Sequence, residues 1–98
     1  MKRQHKHLNE IKNIVVKTLH PKRVWLFGSR AEEKHRKKSD YDIAFEGGSS
    51  SFREIRKAKE QISDTIGIYS CDLVNLEKVG NDFKNLIREK GKIIHERN

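Results

Sequence analysis

Residues 24–29, Val24-Trp25-Leu26-Phe27-Gly28-Ser29, followed after ten intervening residues by Asp40-Tyr41-Asp42-Ile43-Ala44-Phe45-Glu46, form the stretch whose reading decides the fold. Residues 24–27 are a short apolar, aromatic run bounded by Arg23 and Gly28, long enough for a strand buried on both faces and too short for a helix. Tyr41, Ile43 and Phe45 alternate with Asp42, Ala44 and Glu46 before Gly47 and Gly48, which predicts a second strand with one apolar face, ended by a turn. The segment between them, 31–38, is almost wholly polar and charged.

Working outward, Leu8, Ile11, Val15 and Leu19 recur at spacings of three and four with Lys12 and Lys17 elsewhere around the turn. This predicts an amphipathic helix stopped near His20 and Pro21. On the other side, the hydroxyls at 49–51 suit a helix cap, and Phe52, Ile55, Ala58, Ile62 and Ile66 follow at helical spacing up to Gly67. Residues 68–76 are strand formers interrupted by Asp72, and 81–90 read as a third helix with Phe83, Leu86 and Ile87 inward, closed by Gly91. Residues 92–96 fit a short strand or a tail. The alternation indicates a small α/β domain, helices packed on a sheet of three or four strands.

Ninety-eight residues make one domain, 1–98, burying about 65% of the extended chain's surface. There is no room for a second core, so any second substrate is expected to be met by loops or supplied by another chain. Leu, Ile, Val and Phe number 25, enough to offset ordering entropy. The net charge of +8 is lopsided: residues 1–38 hold twelve Lys/Arg against three Asp/Glu, whereas 39–98 hold ten against eleven. A basic half suits phosphate, nucleic acid or an acidic protein without choosing among them. One cysteine, Cys71, allows no internal disulfide, and no apolar stretch approaches the ~20 residues of a membrane span. The start, MKRQHKH, leads into an amphipathic segment rather than a signal-peptide core, so a cytoplasmic protein is expected.

Gly28 lets backbone approach a ligand with no Cβ in the way, and the N–H groups around Ser29, its hydroxyl and the Arg30 guanidinium would suit a polyphosphate. Asp40 and Asp42, two apart, leave one face of a strand at Cα atoms roughly 6.6 Å apart. Two such carboxylates repel each other unless a cation lies between them, which makes them ligands for Mg²⁺. Asp72 interrupts an apolar strand, where an acid needs a partner, solvent or a metal. Alternation sets Ser70, Asp72 and Val74 on one face and Tyr69, Cys71 and Leu73 on the other. If Tyr41, Ile43 and Phe45 share that second, core face, the three acids converge on the opposite side. Three carboxylates beside a phosphate-binding turn are the parts of a two-metal phosphoryl-transfer site.

Gly28-Ser29, ten residues, then Asp40-Tyr41-Asp42 resembles the G-S-x10-D-x-D signature of the polymerase-β-like nucleotidyltransferases, and Asp72 in Cys71-Asp72-Leu73-Val74 resembles their third carboxylate. The run Leu26-Phe27-Gly28-Ser29-Arg30-Ala31 is similar to that of the minimal nucleotidyltransferases, the MNT partners of HEPN-domain proteins, over residues 23–96. The resemblance implies a mixed sheet flanked by helices, two Mg²⁺ ions on Asp40 and Asp42 with Asp72 completing one site, and ATP phosphates held by Gly28, Ser29 and Arg30. It implies that Asp72 orients or deprotonates an attacking hydroxyl, and that AMP passes to a tyrosine of a HEPN ribonuclease toxin with release of pyrophosphate. The protein would then be an antitoxin of the type VII kind, working in a hetero-oligomer. The competing reading is a binding antitoxin that neutralises its partner by stoichiometric contact. Direct nucleic-acid binding by the basic half is the less favoured third reading.

Of the remaining residues, the run Lys34-His35-Arg36-Lys37-Lys38 reads as a solvated loop, and His5 and His7 as solvated for want of a third ligand. Cys71 is expected as a packed thiol opposite Asp72, and Trp25 and Phe27 as core or partner contacts.

Overall fold

The computed structural model describes residues 3–28, 30–31, 40–49 and 51–97. Helix α1 (Arg3–Leu19) leads into strand β1 (Arg23–Phe27), then β2 (Tyr41–Glu46), α2 (Phe52–Ile66), β3 (Cys71–Asn75), a 3-10 turn (Leu76–Lys78), α3 (Asn81–Lys90) and β4 (Lys92–Glu96). α1 stops where Pro21 cannot continue it: His20 donates its N–H to Val16 O at 3.0 Å and takes φ 52°. α2 begins on a side-chain cap, with the Ser51 hydroxyl accepting the Glu54 N–H and the Glu54 carboxylate accepting from the Ser49 hydroxyl. It ends at Gly67, whose φ of 66° is easy only for glycine.

The four strands form one mixed sheet in the order β3-β2-β1-β4. β1 is antiparallel to both β2 and β4, and β2 is parallel to β3, joined by the crossover through α2. This is the fold that the alternating pattern and the resemblance led us to expect, and 92–96 is a strand rather than a tail. β4 meets β1 with a register shift between Val24 and Trp25. No helix among the described residues is long and apolar enough to cross a membrane.

Three consecutive buried residues in β1, Val24, Trp25 and Leu26, mean that the sheet is covered on both faces. On one, Ile11, Val15 and Leu19 of α1 and Ala58, Ile62 and Ile66 of α2 close over Tyr41, Ile43, Phe45 and Leu73. On the other, a smaller core joins Trp25 and Ala44 to Leu76 and Ile87. β2 therefore departs from the single apolar face expected of it: Ala44 is fully buried because α3 and the 3-10 turn pack above it.

Phe52, Phe83 and Leu86, expected inside, are exposed, and so is Ile68. Phe52, the first residue of α2, is 80% exposed. Ile68, in the turn before β3, is 77% exposed. On α3 only Ile87 is buried. Phe83, one turn earlier, meets Phe27 edge-on with ring centroids 5.6 Å apart, while Leu86 on the flank is half exposed. α3 thus fully buries only Ile87, with Phe83 partly covered by Phe27 and Leu86 left to solvent, a narrower stripe than its apolar spacing suggests.

Candidate active site

The site lies at the end of the sheet where β1 finishes and β2 and β3 begin. Register sets Phe27, Asp42 and Asp72 abreast on three neighbouring strands, so Asp42 and Asp72 leave the same face about 4.8 Å apart at Cα. Asp40 precedes β2 by one residue, and the Tyr41 N–H donates to Ser70 O at 2.8 Å, tying the mouths of the two parallel strands together. The acids occupy the face opposite Tyr41, Ile43 and Phe45, as the alternation predicts.

Gly28 turns the chain directly beside Asp42. Its φ is 77°, and a Cβ there would run into the Asp42 carboxylate, with Cγ 3.1 Å away. Glycine is thus required twice, by backbone conformation and by the approaching acid. The Ala31 N–H donates back to Gly28 O at 3.1 Å, and Ala31 is buried in the larger core. Ser29, the expected phosphate ligand in this turn, lies outside the described residues, as do 34–38.

Arg30 takes a different direction from the acids. It is 7% exposed, and its guanidinium lies 3.9 Å from the centroid of the Tyr41 ring and 5.8 Å from that of Tyr69. Tyr41 belongs to the core under α1, so the guanidinium crosses to that side of the sheet and pins the turn by a cation–π stack. Tyr69 completes the seat, its ring 6.0 Å from Tyr41 and 5.1 Å from His7. Burial raises the Tyr41 phenol, and Arg30 partly offsets this. Strand alternation places Tyr41 and Tyr69 on one face, which was the available signal. Where a turn residue such as Arg30 sends its side chain has no period to read.

Asp42 is part-buried, and its carboxyl is raised, first by that burial, then by the charges of Asp72 and Asp40. The same negative surroundings reach Cys71 on the other face of β3. Its thiol is pushed up to about 12, burial acting first and Asp72 next. That is a packed, unreactive thiol of the kind expected. Asp40 and Asp72 are exposed. Among the described residues no three Asp, Glu, His or Cys side chains gather closely enough to hold a metal ion. The carboxylates feel one another without meeting at a point. As oxygen donors they are of the kind a hard divalent cation could use, and such a cation would offset the repulsion that adds to burial in raising Asp42.

A glycine turn facing acids on two adjacent parallel strands is where the comparison with known proteins bears. The family model for polymerase beta nucleotidyltransferases matches residues 9–98. The chain belongs to the polymerase beta nucleotidyltransferase family. Solved structures with the nucleotidyltransferase fold superpose closely. One is a chain of a toxin–antitoxin complex crystallised with AMP-PNP, at TM-score 0.79 and 18% identity, covering 92% of this chain and 73% of that one. Another comes from a tri-AMPylated Shewanella oneidensis HEPN toxin in complex with an MNT antitoxin, at TM-score 0.75 and 18% identity, covering 96% and 73%. A third is a nucleotidyltransferase, so described provisionally, from Sulfolobus solfataricus, at TM-score 0.58 and 19% identity, covering 94% and 79%. No curated protein matches this nucleotidyltransferase significantly by sequence.

Proposed function

We propose that this nucleotidyltransferase moves AMP from ATP to a tyrosine hydroxyl of a HEPN-domain toxin and so acts as its antitoxin. The observation that carries the reading is the row of acids, Asp42 beside Asp72 with Asp40 next to them, facing the Gly28 turn with no cation paired to Asp42 among the described residues. Support comes from the neighbours' own descriptions, one a complex with AMP-PNP and another a complex with an AMPylated HEPN toxin.

In this reading the backbone at Gly28 and Ser29 holds the nucleotide phosphates, and Arg30, stacked on Tyr41, keeps that turn in place. Asp40, Asp42 and Asp72 are the residues that would hold Mg²⁺, which would supply neutralisation of the charge that develops on the phosphates. Asp72, at the exposed margin of the row, orients the acceptor hydroxyl and takes its proton. The acceptor oxygen bonds to the α-phosphorus as the bond to the bridging oxygen breaks, and pyrophosphate leaves with that electron pair. The acceptor arrives on the partner, which makes the working unit a hetero-oligomer.

Incubation with Mg²⁺, α-labelled ATP and the HEPN protein encoded beside it tests the reading. Label on a tyrosine of that protein, lost with Asp42→Asn, is expected. No label from the wild type, together with full rescue of cells by Asp40→Ala/Asp42→Ala, would leave stoichiometric binding as the function.

A further inference from the structure

Cations with no task in the transfer reaction also gather at the far end of the molecule, Lys17 from the basic first 38 residues and Arg53 and Lys57 from α2. The Ser49 N–H donates to Leu19 O at 2.8 Å, tying the end of α1 to the loop before α2. This is the Arg23–Glu46 end of the sheet, opposite the Gly28–Asp42 end. Two shallow clefts lie side by side there. One, of about 300 Å³, runs between α1 and α2 past Lys17, Arg53 and Lys57. The other, of about 390 Å³, follows the exposed side of α2 along Phe52, Arg53, Arg56 and Lys57. Arg53 and Lys57, one helical turn apart, line both, so the two make one groove.

The groove's acids are already engaged. Glu54 holds the Ser49 hydroxyl, and Glu60 pairs with Arg56 at 3.5 Å. Lys17, Arg53 and Lys57 have no acid within ion-pair distance among the described residues. Beside them stands Phe52, 80% exposed, and the other exposed large apolar residues, Ile68, Phe83, Leu86 and Ile93, do not line the groove. One bare ring among cations is too little apolar surface to seat a protein, which needs a cluster of anchors. A nucleobase needs a single ring to stack on, and its backbone needs the cations. Thr18 and Gln61 line the inner cleft with neutral donors and acceptors, the groups that meet a ribose 2′-hydroxyl.

We propose that this groove binds single-stranded RNA, with phosphates along Lys17, Arg53 and Lys57 and a base stacked on Phe52. The site is separate from the acids and independent of what they catalyse.

Fluorescence anisotropy of the full chain with labelled oligoadenylate RNA, the oligodeoxyadenylate of the same length and an oligoglutamate peptide tests it. Three phosphate contacts give a slope near −2 in log K against log salt, roughly a twentyfold loss of affinity between 50 and 200 mM. Phe52→Ala is expected to weaken RNA binding about fivefold or more without changing the slope. Arg53→Ala/Lys57→Ala is expected to bring the slope to about −0.7. Both variants should melt as the wild type does and keep its nucleotidyl transfer. The proposal is overturned if the oligoadenylate does not bind at low salt, or if both variants bind it as the wild type does. Equal affinity for oligoglutamate would replace RNA with an acidic protein, and equal affinity for the DNA strand would remove the ribose contact that singles out RNA.

Discussion

Asp42 and Glu46 stand four residues apart on β2 and on the same face of the sheet, yet the two ends of the strand treat them oppositely. At the Glu46 end, Arg88 lies 3.0 Å and Arg23 3.5 Å from the carboxylate, and Arg23 also pairs with Glu96 at 2.7 Å. Burial alone would raise Glu46, but the hydrogen bond and charge of Arg88, with Arg23, hold it below its ordinary value. At the Asp42 end burial is reinforced by Asp72 and Asp40, and the carboxyl rises. One end of the strand uses an acid to join β1, β2, β4 and α3. The other gathers acids that oppose the closing of the sheet, which is expected where charge is kept for a ligand rather than for the fold.

The largest effect should come from removing the charge at the opposed end. Asp42→Asn is expected to lower AMP transfer by about 10³-fold or more, since metal-assisted charge stabilisation is worth several kcal/mol. The same substitution should raise Tm, measured by calorimetry, because it removes a charge that burial and two neighbouring acids disfavour. Loss of activity with a lowered Tm would break the comparison.

Gly28→Ala should cost about 1–2 kcal/mol and most of the activity, through its positive φ and the contact with Asp42. In an Asp42→Ala background the clash with the carboxylate is gone, leaving the backbone penalty and the approach of the Cβ at 42, 3.3 Å away, so the double-mutant cycle should show a clear coupling in urea melts. At the joined end, Glu46→Gln should cost roughly 0.5–1 kcal/mol, discounted for solvent around the two arginines, and leave transfer unchanged.

The smallest effect is the pH dependence, and it has opposite signs at the two ends. Asp42's folded value lies above its unfolded one, so its contribution to stability is greatest below the unfolded value and is lost as pH rises through the folded one. Glu46's folded value is depressed, so its contribution is present above the unfolded value and is lost as pH falls through the folded one. Melts between about pH 7 and about pH 3 should show the Tm advantage of Asp42→Asn and the deficit of Glu46→Gln both shrinking toward zero in acid. A difference that stays constant would mean the substitution acts through packing.

The acids, their common face and the glycine turn were legible because strand alternation and glycine's backbone freedom are local rules. Ala44 was misread because its burial depends on α3, forty residues away in the chain, coming to cover that face. Phe52 and Leu86 have helical spacing but lie where no neighbouring element reaches, which periodicity cannot register. The charge of Arg30 is legible in the sequence, but its stack on Tyr41 depends on how a turn aims a long side chain.

The parallel pairing of Asp42 with Asp72 spans thirty residues of sequence and exists only when α2 has folded and docked. A hairpin of β1 and β2 can form without it, and in that state Asp72 is not held beside Asp40 and Asp42. Chemistry on this chain is therefore conditional on the crossover: a lesion such as loss of Ile62, far from any acid, would silence the site by opening a strand rather than by altering a ligand.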